Sequence, residues 1–324
     1  VRGLLLRASL STVAGIGEAA VRIVRAVMKA SGALLALLVL VACAQQIRLS
    51  DGAPLPEPHV DTLRVATLNV HYIDLRSGGE GPWSLAGWER RKAALGDTVA
   101  ALKADVIAFQ EMESFRGGDD DSDNLARGYL LGRLPGFEAA ATGDWRSFPS
   151  TQPIFYRTDR LRLEDQGWFF FSEKPAVIYS RTFDGSWPAF ASWAEFTPVG
   201  GGQRFRLVNV HLEYRSASNR RRSAELIARR LTAVIDAGTP VILAGDLNAL
   251  RGWRVMRILQ DAGLRFPRVP AATHHLNRGV HLLPAIDHIG LAGLDATGGP
   301  YVPQMRHGGV WPTDHHPVVL DLAP

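Results

Sequence analysis

Cysteine is nearly absent: Cys43 is the only one in 324 residues. A disulfide framework, cysteine-based zinc sites and thiol catalysis are therefore excluded, and the fold has to rest on its hydrophobic core. Net charge is just as scarce once its location is considered. The formal +4 comes from Arg2, Arg7, Arg22, Arg25 and Lys29, all ahead of Cys43 and opposed there only by Glu18. Without that segment Lys+Arg falls from 36 to 31 and Asp+Glu from 32 to 31, so the remainder is neutral. A neutral domain has no global field drawing it onto nucleic acid or an anionic membrane. This counts against a non-specific DNase. Internal repeats are also lacking, and the histidines show no HExxH spacing.

What is present begins with a leader. Met28-Lys29 opens about ten apolar residues closed by Leu40-Val41-Ala42-Cys43, the composition of a secretory signal. The run is shorter than the ~30 Å hydrocarbon core requires. The closing tetrapeptide is similar to the bacterial lipoprotein processing box, which makes Cys43 the expected lipidation site and the cell envelope the expected location. Plain secretion and a retained anchor or core helix are the alternatives. Residues 1–27 read as lying upstream of the true start, so residues 1–43 form the leader. Residues 44–61, polar and proline-rich, read as a flexible tether. Residues 62–324 are enough for one large domain.

Within that domain the alternation of residue types predicts strands at Leu63–Val70 and Asp105–Phe109, with helices at Trp88–Leu102 and Leu125–Leu134. Pro153–Arg157 and Leu161–Phe171 read as a hairpin. Ala191–Phe196 and Phe205–Leu212 read as a second pair across a glycine-rich turn. A helix at Ser218–Ala237 stops at Gly238 and Pro240. Strand Val241–Ala244, a helix at Trp253–Ala262 and strands around Asp287 and after His316 complete the pattern. Strands mixed with helices in this way predict an α/β fold of two packed mixed sheets with helices outside.

Six polar clusters close the apolar runs: Thr67-Leu68-Asn69-Val70, Gln110-Glu111, Asn209-Val210-His211, Gly245-Asp246-Leu247-Asn248, Ile286-Asp287-His288 and Thr313-Asp314-His315-His316. Polar groups at strand ends meet when the strands share a sheet. Hard oxygen donors beside imidazoles suit Mg²⁺-assisted attack on a phosphate ester. Glu111 directly after an apolar strand is costly to desolvate without a cation or partner. Asp246 and Asn248 flank a leucine, so both side chains leave one side of an extended segment. Taken singly, each has a plainer reading as a strand-end acid, an Asx turn or a structural histidine.

In this order the clusters resemble the endonuclease/exonuclease/phosphatase family of phosphodiesterases and phosphatases, over roughly Leu63 to Leu322. The resemblance implies a four-layer sandwich and a Mg²⁺ or Mn²⁺ cofactor. It implies Glu111, Asn69 and Asp314 at the metal, and Asp246 aligning the attacking water. Asn248 would bind metal or phosphate, His315 would act as acid/base partner oriented by Asp287, and His211 would donate to a non-bridging oxygen. His71 stands where DNA-repair members often carry aspartate, which tilts the reading toward a phosphatase or small-diester hydrolase.

Further expectations are looser. Tyr156, Arg157, Arg215 and His274 are expected at the phosphate cleft, and Arg220–Arg222 extend a basic patch. Ser172–Pro175, Trp187 and Ala191–Ala194 resemble a substrate-side stretch of bacterial members of that family. Asp119, Asp121 and Asp123 alternate like part of a calcium loop but lack its glycine and glutamate. His274, His275 and His281 lack the partners of a zinc site. The expected function is phosphate-ester hydrolysis by a monomeric, exported enzyme. A nuclease is the alternative activity, and a non-catalytic binding protein on the same fold is the alternative of another class.

Overall fold

The computed structural model describes residues 2–50, 53–59, 61–115, 124–181 and 183–323, the side chains of residues 2–21 excepted. The alternating aspartates 119, 121 and 123 lie outside the described residues. The chain divides into two compact units, Val1–Arg48 and Leu49–Pro324.

The first unit is helical. Helix α1 spans Arg2–Leu49 and carries Cys43 exposed. The helix does not stop at Cys43, because Gln45, Gln46 and Arg48 are all good helix formers. Its stretch Arg22–Leu49, with mean hydropathy 2.2 over an 18-residue window, is long and apolar enough to cross a membrane by length and composition. That is longer than the apolar run after Met28 suggested; signal sequences pass the same test. The expected tether is also shortened. Residues 44–49 are helical, and Leu49 is buried in the second unit, where its carbonyl accepts from Ala272 N (3.1 Å) and Gln304 Nε2 (3.2 Å). The second unit begins at Leu49.

The second unit holds strands β1 (Leu63–Asn69), β2 (Ile73–Asp74), β3 (Val106–Gln110), β4 (Ser114–Phe115), β5 (Phe137–Ala140), β6 (Ile154–Arg157) and β7 (Leu161–Phe170). They are followed by β8 (Phe190–Pro198), β9 (Phe205–His211), β10 (Val241–Asp246), β11 (Asp287–Ala292), β12 (Ala296–Tyr301) and β13 (Val318–Leu322). Helices α2 (Leu85–Ala101), α3 (Leu125–Arg133), α4 (Ala217–Asp236) and α5 (Arg254–Asp261) connect them. Serine or asparagine caps the first three: Ser84, Asn124 and Ser216 each accept from the N3 backbone amide.

One sheet runs β12-β13-β1-β3-β6-β5 and the other β11-β10-β9-β8-β7. Both are mixed, with β1/β3 and β9/β10 parallel and the other pairs antiparallel. Period-2 alternation assigns each strand's two faces. Val65, Val106, Val318 and Leu320 meet Leu207, Ile242, Ala244 and Ile289 between the sheets. The opposite faces turn outward: Ala66, Leu68 and Phe109 pack under Trp88 and Leu95 of α2 and Leu130 of α3. Val208, Val210 and Leu243 pack under Ile227 and Leu231 of α4 and Leu259 of α5. The result is the four-layer α/β/β/α sandwich.

The hairpin expected from residues 153–171 does not form. β6 pairs with β3 and β5 in one sheet, whereas β7 pairs with β8 in the other. The chain crosses between layers at Thr158–Arg160, where Arg160 donates to Asp105 Oδ1 (3.2 Å) and Thr62 O (2.7 Å).

Candidate active site

Register brings the polar clusters to one end of both sheets. Parallel pairing sets Asn69 beside Gln110 at the close of β1 and β3, and His211 beside Asp246 at the close of β9 and β10. Antiparallel β11 starts there, with Asp287 opposite Asp246. The two sheets are tied at this end by buried amides: Gln110 Nε2 donates to Asn209 Oδ1 (2.7 Å), and Asn209 Nδ2 donates to Phe109 O (2.7 Å). Gln110 and Asn209 are therefore joints between layers. Within the second sheet, β9 and β10 run close enough here that Gly245 (φ +148°) is required: a Cβ there would lie 1.9 Å from Val210 O. His71, Glu111 and Asn248 adopt left-handed backbone (φ 60°, 53° and 46°). Such conformations in non-glycine residues concentrate at functional sites.

Asp246 is the hub. Its Oδ2 lies 3.7 Å from His211 Nε2 and 3.8 Å from His315 Nε2, and accepts from Asn69 Nδ2 (3.4 Å). Its Oδ1 accepts from Asn248 N (2.9 Å), an Asx turn, the plainer reading of this segment, in place of the extended run expected across Leu247. Asn248 Nδ2 in turn donates to Leu212 O (2.9 Å). His315 Nδ1 is 2.9 Å from Asp287 Oδ2, so its Nε2 is left facing Asp246. On the facing wall Glu111 Oε1 accepts from Asn69 Nδ2 (3.0 Å) and stands 3.8 Å from His211 Nε2. Tyr72 N donates to Glu111 Oε2 (3.3 Å), and His71 Nδ1 is 3.6 Å from that oxygen. Thr313 Oγ1 donates to Asn69 O (2.9 Å), which joins the Asp314 segment to β1. Asp314 Oδ2 lies 3.6 Å from His274 Nε2, and the His274 ring is 4.9 Å from that of His315.

The electrostatics follow from burial and neighbours. Burial pushes the Asp246 carboxyl up and Asp287 adds to this, with His315 and His211 opposing, to about 6. Burial would also raise Glu111, but contact with His71 and the charge of His211 bring it down to about 2. Asp314, likewise desolvated, is held far below the usual carboxylate range by His274 and His315. Burial opposes the charged form of His315, yet Asp287 and Asp246 hold it protonated well above the ordinary imidazole value.

Whether these residues fit a metal can be judged from the donors. Among the described residues two groups present ligand atoms within 4.8 Å of one another: His274/Asp314/His315 and Asp246/Asp287/His315. Buried Asp287 Oδ1 has no hydrogen-bond partner among the described residues. Four carboxyl groups and two amide side chains in one pocket form the hard-oxygen set that a divalent cation takes. The site fits such an ion. Glu111 and Asn69 are in mutual contact, while Asp314 groups with the histidines beside them.

Glu111, His211, Asp246, Asn248, Asp314 and His315 line a cleft of about 840 Å³, together with Tyr72, Arg76, Glu113, Gln152, Tyr179, Trp187 and Tyr214. His274 is brought to it as expected. Arg215 stands at the rim, exposed, with its guanidinium 5.0 Å from the Tyr214 ring. Tyr156 and Arg157 are not at the site. Tyr156 pairs with Val106, four residues upstream of Gln110 and so about 13 Å down the strand. Its hydroxyl donates to Glu138 (2.8 Å), and Arg157 binds Asp159 (2.6 Å). The arginine patch is likewise engaged within the fold: Arg220 is buried against the Glu213 and Tyr214 carbonyls, Arg221 pairs with Glu225, and Arg222 pairs with Glu173.

Sequence reasoning passed over Arg91 and Glu213. Arg91, buried on α2, donates to Val70 O (2.7 Å), His71 O (2.6 Å) and Pro312 O (3.0 Å), clamping the Asn69 loop to the Asp314 loop. Its helical position conceals this, whereas Glu213 stands only two residues past His211. His275, His281 and His316 form a buried imidazole cluster beside the site. The His275 and His316 rings lie 4.1 Å apart, and burial pushes both far down, to about 3 and about 2.

The fold recurs in solved structures. An endonuclease/exonuclease/phosphatase family protein from Bacteroides thetaiotaomicron is 23% identical over 82% of this chain and 98% of its own, with a TM-score of 0.64. A mannosyl-6-phosphatase from the same organism is 23% identical over 80% and 99%, TM-score 0.63. D. rerio TDP2 with single strand DNA product is 18% identical over 81% and 99%, TM-score 0.58. No curated protein matches the chain. The family model for the Endonuclease/Exonuclease/phosphatase family matches residues 66–316, most of the chain. With that match, and with the ordered clusters converging as described, the chain belongs to the endonuclease/exonuclease/phosphatase family, whose members are phosphoric ester hydrolases.

Proposed function

We propose that this chain hydrolyses a small phosphate ester with the help of Mg²⁺ or Mn²⁺. The observation that carries the reading is the convergence on Asp246 Oδ2 of His211 Nε2 (3.7 Å), His315 Nε2 (3.8 Å) and Asn69 Nδ2 (3.4 Å). Asp246, with its pKa raised toward neutrality, accepts a proton from the attacking water. His315, kept as an imidazolium by Asp287, donates to a phosphoryl oxygen. His211 donates to a second oxygen as charge accumulates, and Asn248 helps hold the phosphoryl group. Glu111, Asn69 and Asp314 would hold the divalent ion, which when bound supplies Lewis-acid neutralisation of the phosphoryl charge.

A phosphatase or small-diester hydrolase is favoured over a nuclease because the chain after Cys43 is neutral and Arg220–Arg222 are engaged within the fold. The test is hydrolysis of p-nitrophenyl phosphate, bis-p-nitrophenyl phosphate and plasmid DNA, with EDTA, Mg²⁺ or Mn²⁺. Chelation is expected to abolish turnover of the small esters and either metal to restore it. Full-rate turnover in EDTA would overturn the metal assignment, and preferential nicking of plasmid would establish the nuclease reading instead.

We further propose export and lipid attachment at Cys43, supported by the Leu40–Cys43 box and the apolar helix around it. Cys43→Ala is expected to move the protein from the membrane fraction to the soluble fraction. Unchanged partitioning would refute the lipid anchor and leave α1 itself as the retaining element.

A further inference from the structure

Beside the phosphate-binding groups the cleft has a wall that the proposed chemistry does not use. Trp187 and Tyr214 stack with centroids 5.7 Å apart and planes at 21°, and both line the cleft. Tyr214 is 52% exposed, a large ring left to solvent at the cleft. The Trp187 ring also lies 5.2 Å from the His211 ring, so the pair adjoins the histidine assigned above to a phosphoryl oxygen. Across the cleft Tyr72 and Phe115 form a second aromatic pair, with centroids 5.5 Å apart.

The wall is held by a buried charge. Glu213, 1% exposed, accepts from Ser186 N (2.6 Å), from Ser186 Oγ (2.8 and 2.7 Å) and from Arg215 N (2.9 Å). These donors sit immediately before Trp187 and immediately after Tyr214. Arg220 NH1 adds bonds to the Glu213 and Tyr214 carbonyls, at 2.7 and 2.8 Å. The cost of taking this carboxylate out of water is offset by those three donors, and the same bonds fix the two backbone segments that present the rings.

We propose that Trp187 and Tyr214, clasped by Glu213, form the subsite for a ring in the organic group of the ester, either the apolar face of a sugar or a nucleobase. Glu213 is a positioning residue acting through the two aromatics. The proposal rests on the hydrolase reading above and adds the substrate class to it. Stacking of this kind recognises a face and tolerates differences at the edge.

The experiment measures kcat and KM for glucose 6-phosphate, AMP and glycerol 3-phosphate, each offered as the monoester and as its methyl diester. Wild type is compared with Tyr214→Ala, Tyr214→Phe and Glu213→Gln. Wild type is expected to favour at least one ring-bearing ester over the glycerol ester by ~10-fold or more in kcat/KM, the scale of one stacked ring. Tyr214→Ala should erase that preference, mainly through KM, while Tyr214→Phe retains it because the face and not the hydroxyl is used. Glu213→Gln should weaken it in the same direction as Tyr214→Ala. Which ester carries the preference, hexose or nucleotide, distinguishes the two sources of the ring. A preference unchanged in Tyr214→Ala, or none in wild type alongside turnover of all the esters, overturns the subsite alone. No turnover of any ester overturns the hydrolase reading with it.

Discussion

Asp246→Asn is expected to lower kcat by ~10³-fold with little loss of stability, the scale set by removing a positioned base. The asparagine keeps an oxygen to accept the Asn248 amide, so the turn survives. At the other position an NH₂ replaces the oxygen that now faces His211, His315 and Asn69 Nδ2. Donor then meets donor, and no group remains there to take a proton from water. His315→Ala should cost a similar factor but also some stability, because Asp287 would lose its imidazole partner while staying buried. If the two act as one unit, the double variant falls no further than the worse single variant. Steady-state kinetics with thermal melts decides the matter: full activity in both folded variants would remove Asp246 from the mechanism.

The second large effect lies in the other sheet, at the end of β1 away from the cleft. Arg64 is wholly buried on β1, opposite Asp321 on β13, and binds it through two parallel bonds, Nε to Oδ1 (2.6 Å) and NH2 to Oδ2 (2.9 Å). Asp105 accepts from Arg64 N (2.8 Å) beside it. Removing one partner leaves a charge in the core, so Asp321→Ala is expected to lower unfolding stability by about 3–5 kcal/mol. The paired replacement Arg64→Met with Asp321→Leu should recover most of that loss, since neither charge then remains to be desolvated. Denaturant titration reads both values. Arg64 is five residues from Asn69, about 16 Å along the strand, so turnover per folded molecule should hardly change. A loss under about 1 kcal/mol for Asp321→Ala would place this pair with ordinary surface bridges.

Much of the architecture was legible from local pattern. Alternation in LRVATLNV and PVILAGDLN marks strands, Gly238 and Pro240 end α4, and the ordered clusters point to the family. Asn69, Glu111, His211, Asp246 and Asn248 close or follow strands, Asp287 opens β11 and His315 precedes β13, and strand register brings them, with His274, to or beside one cleft. β12 escaped detection because Ala296–Tyr301 carries two glycines and a proline, residues that weaken any strand signal.

The sequence by itself determined which faces of each strand are apolar, where the helices stop and which polar residues stand at strand ends, because these are properties of neighbours along the chain. Only the tertiary structure decided that β6 and β7 join different sheets, that Tyr156 and Arg157 face away from the cleft, that Arg220–Arg222 are engaged, and that Glu213 clasps Trp187 and Tyr214. Period-2 alternation says that a side chain leaves one face or the other; it carries no information about which strand lies alongside, and that pairing is settled by contacts between residues far apart in sequence.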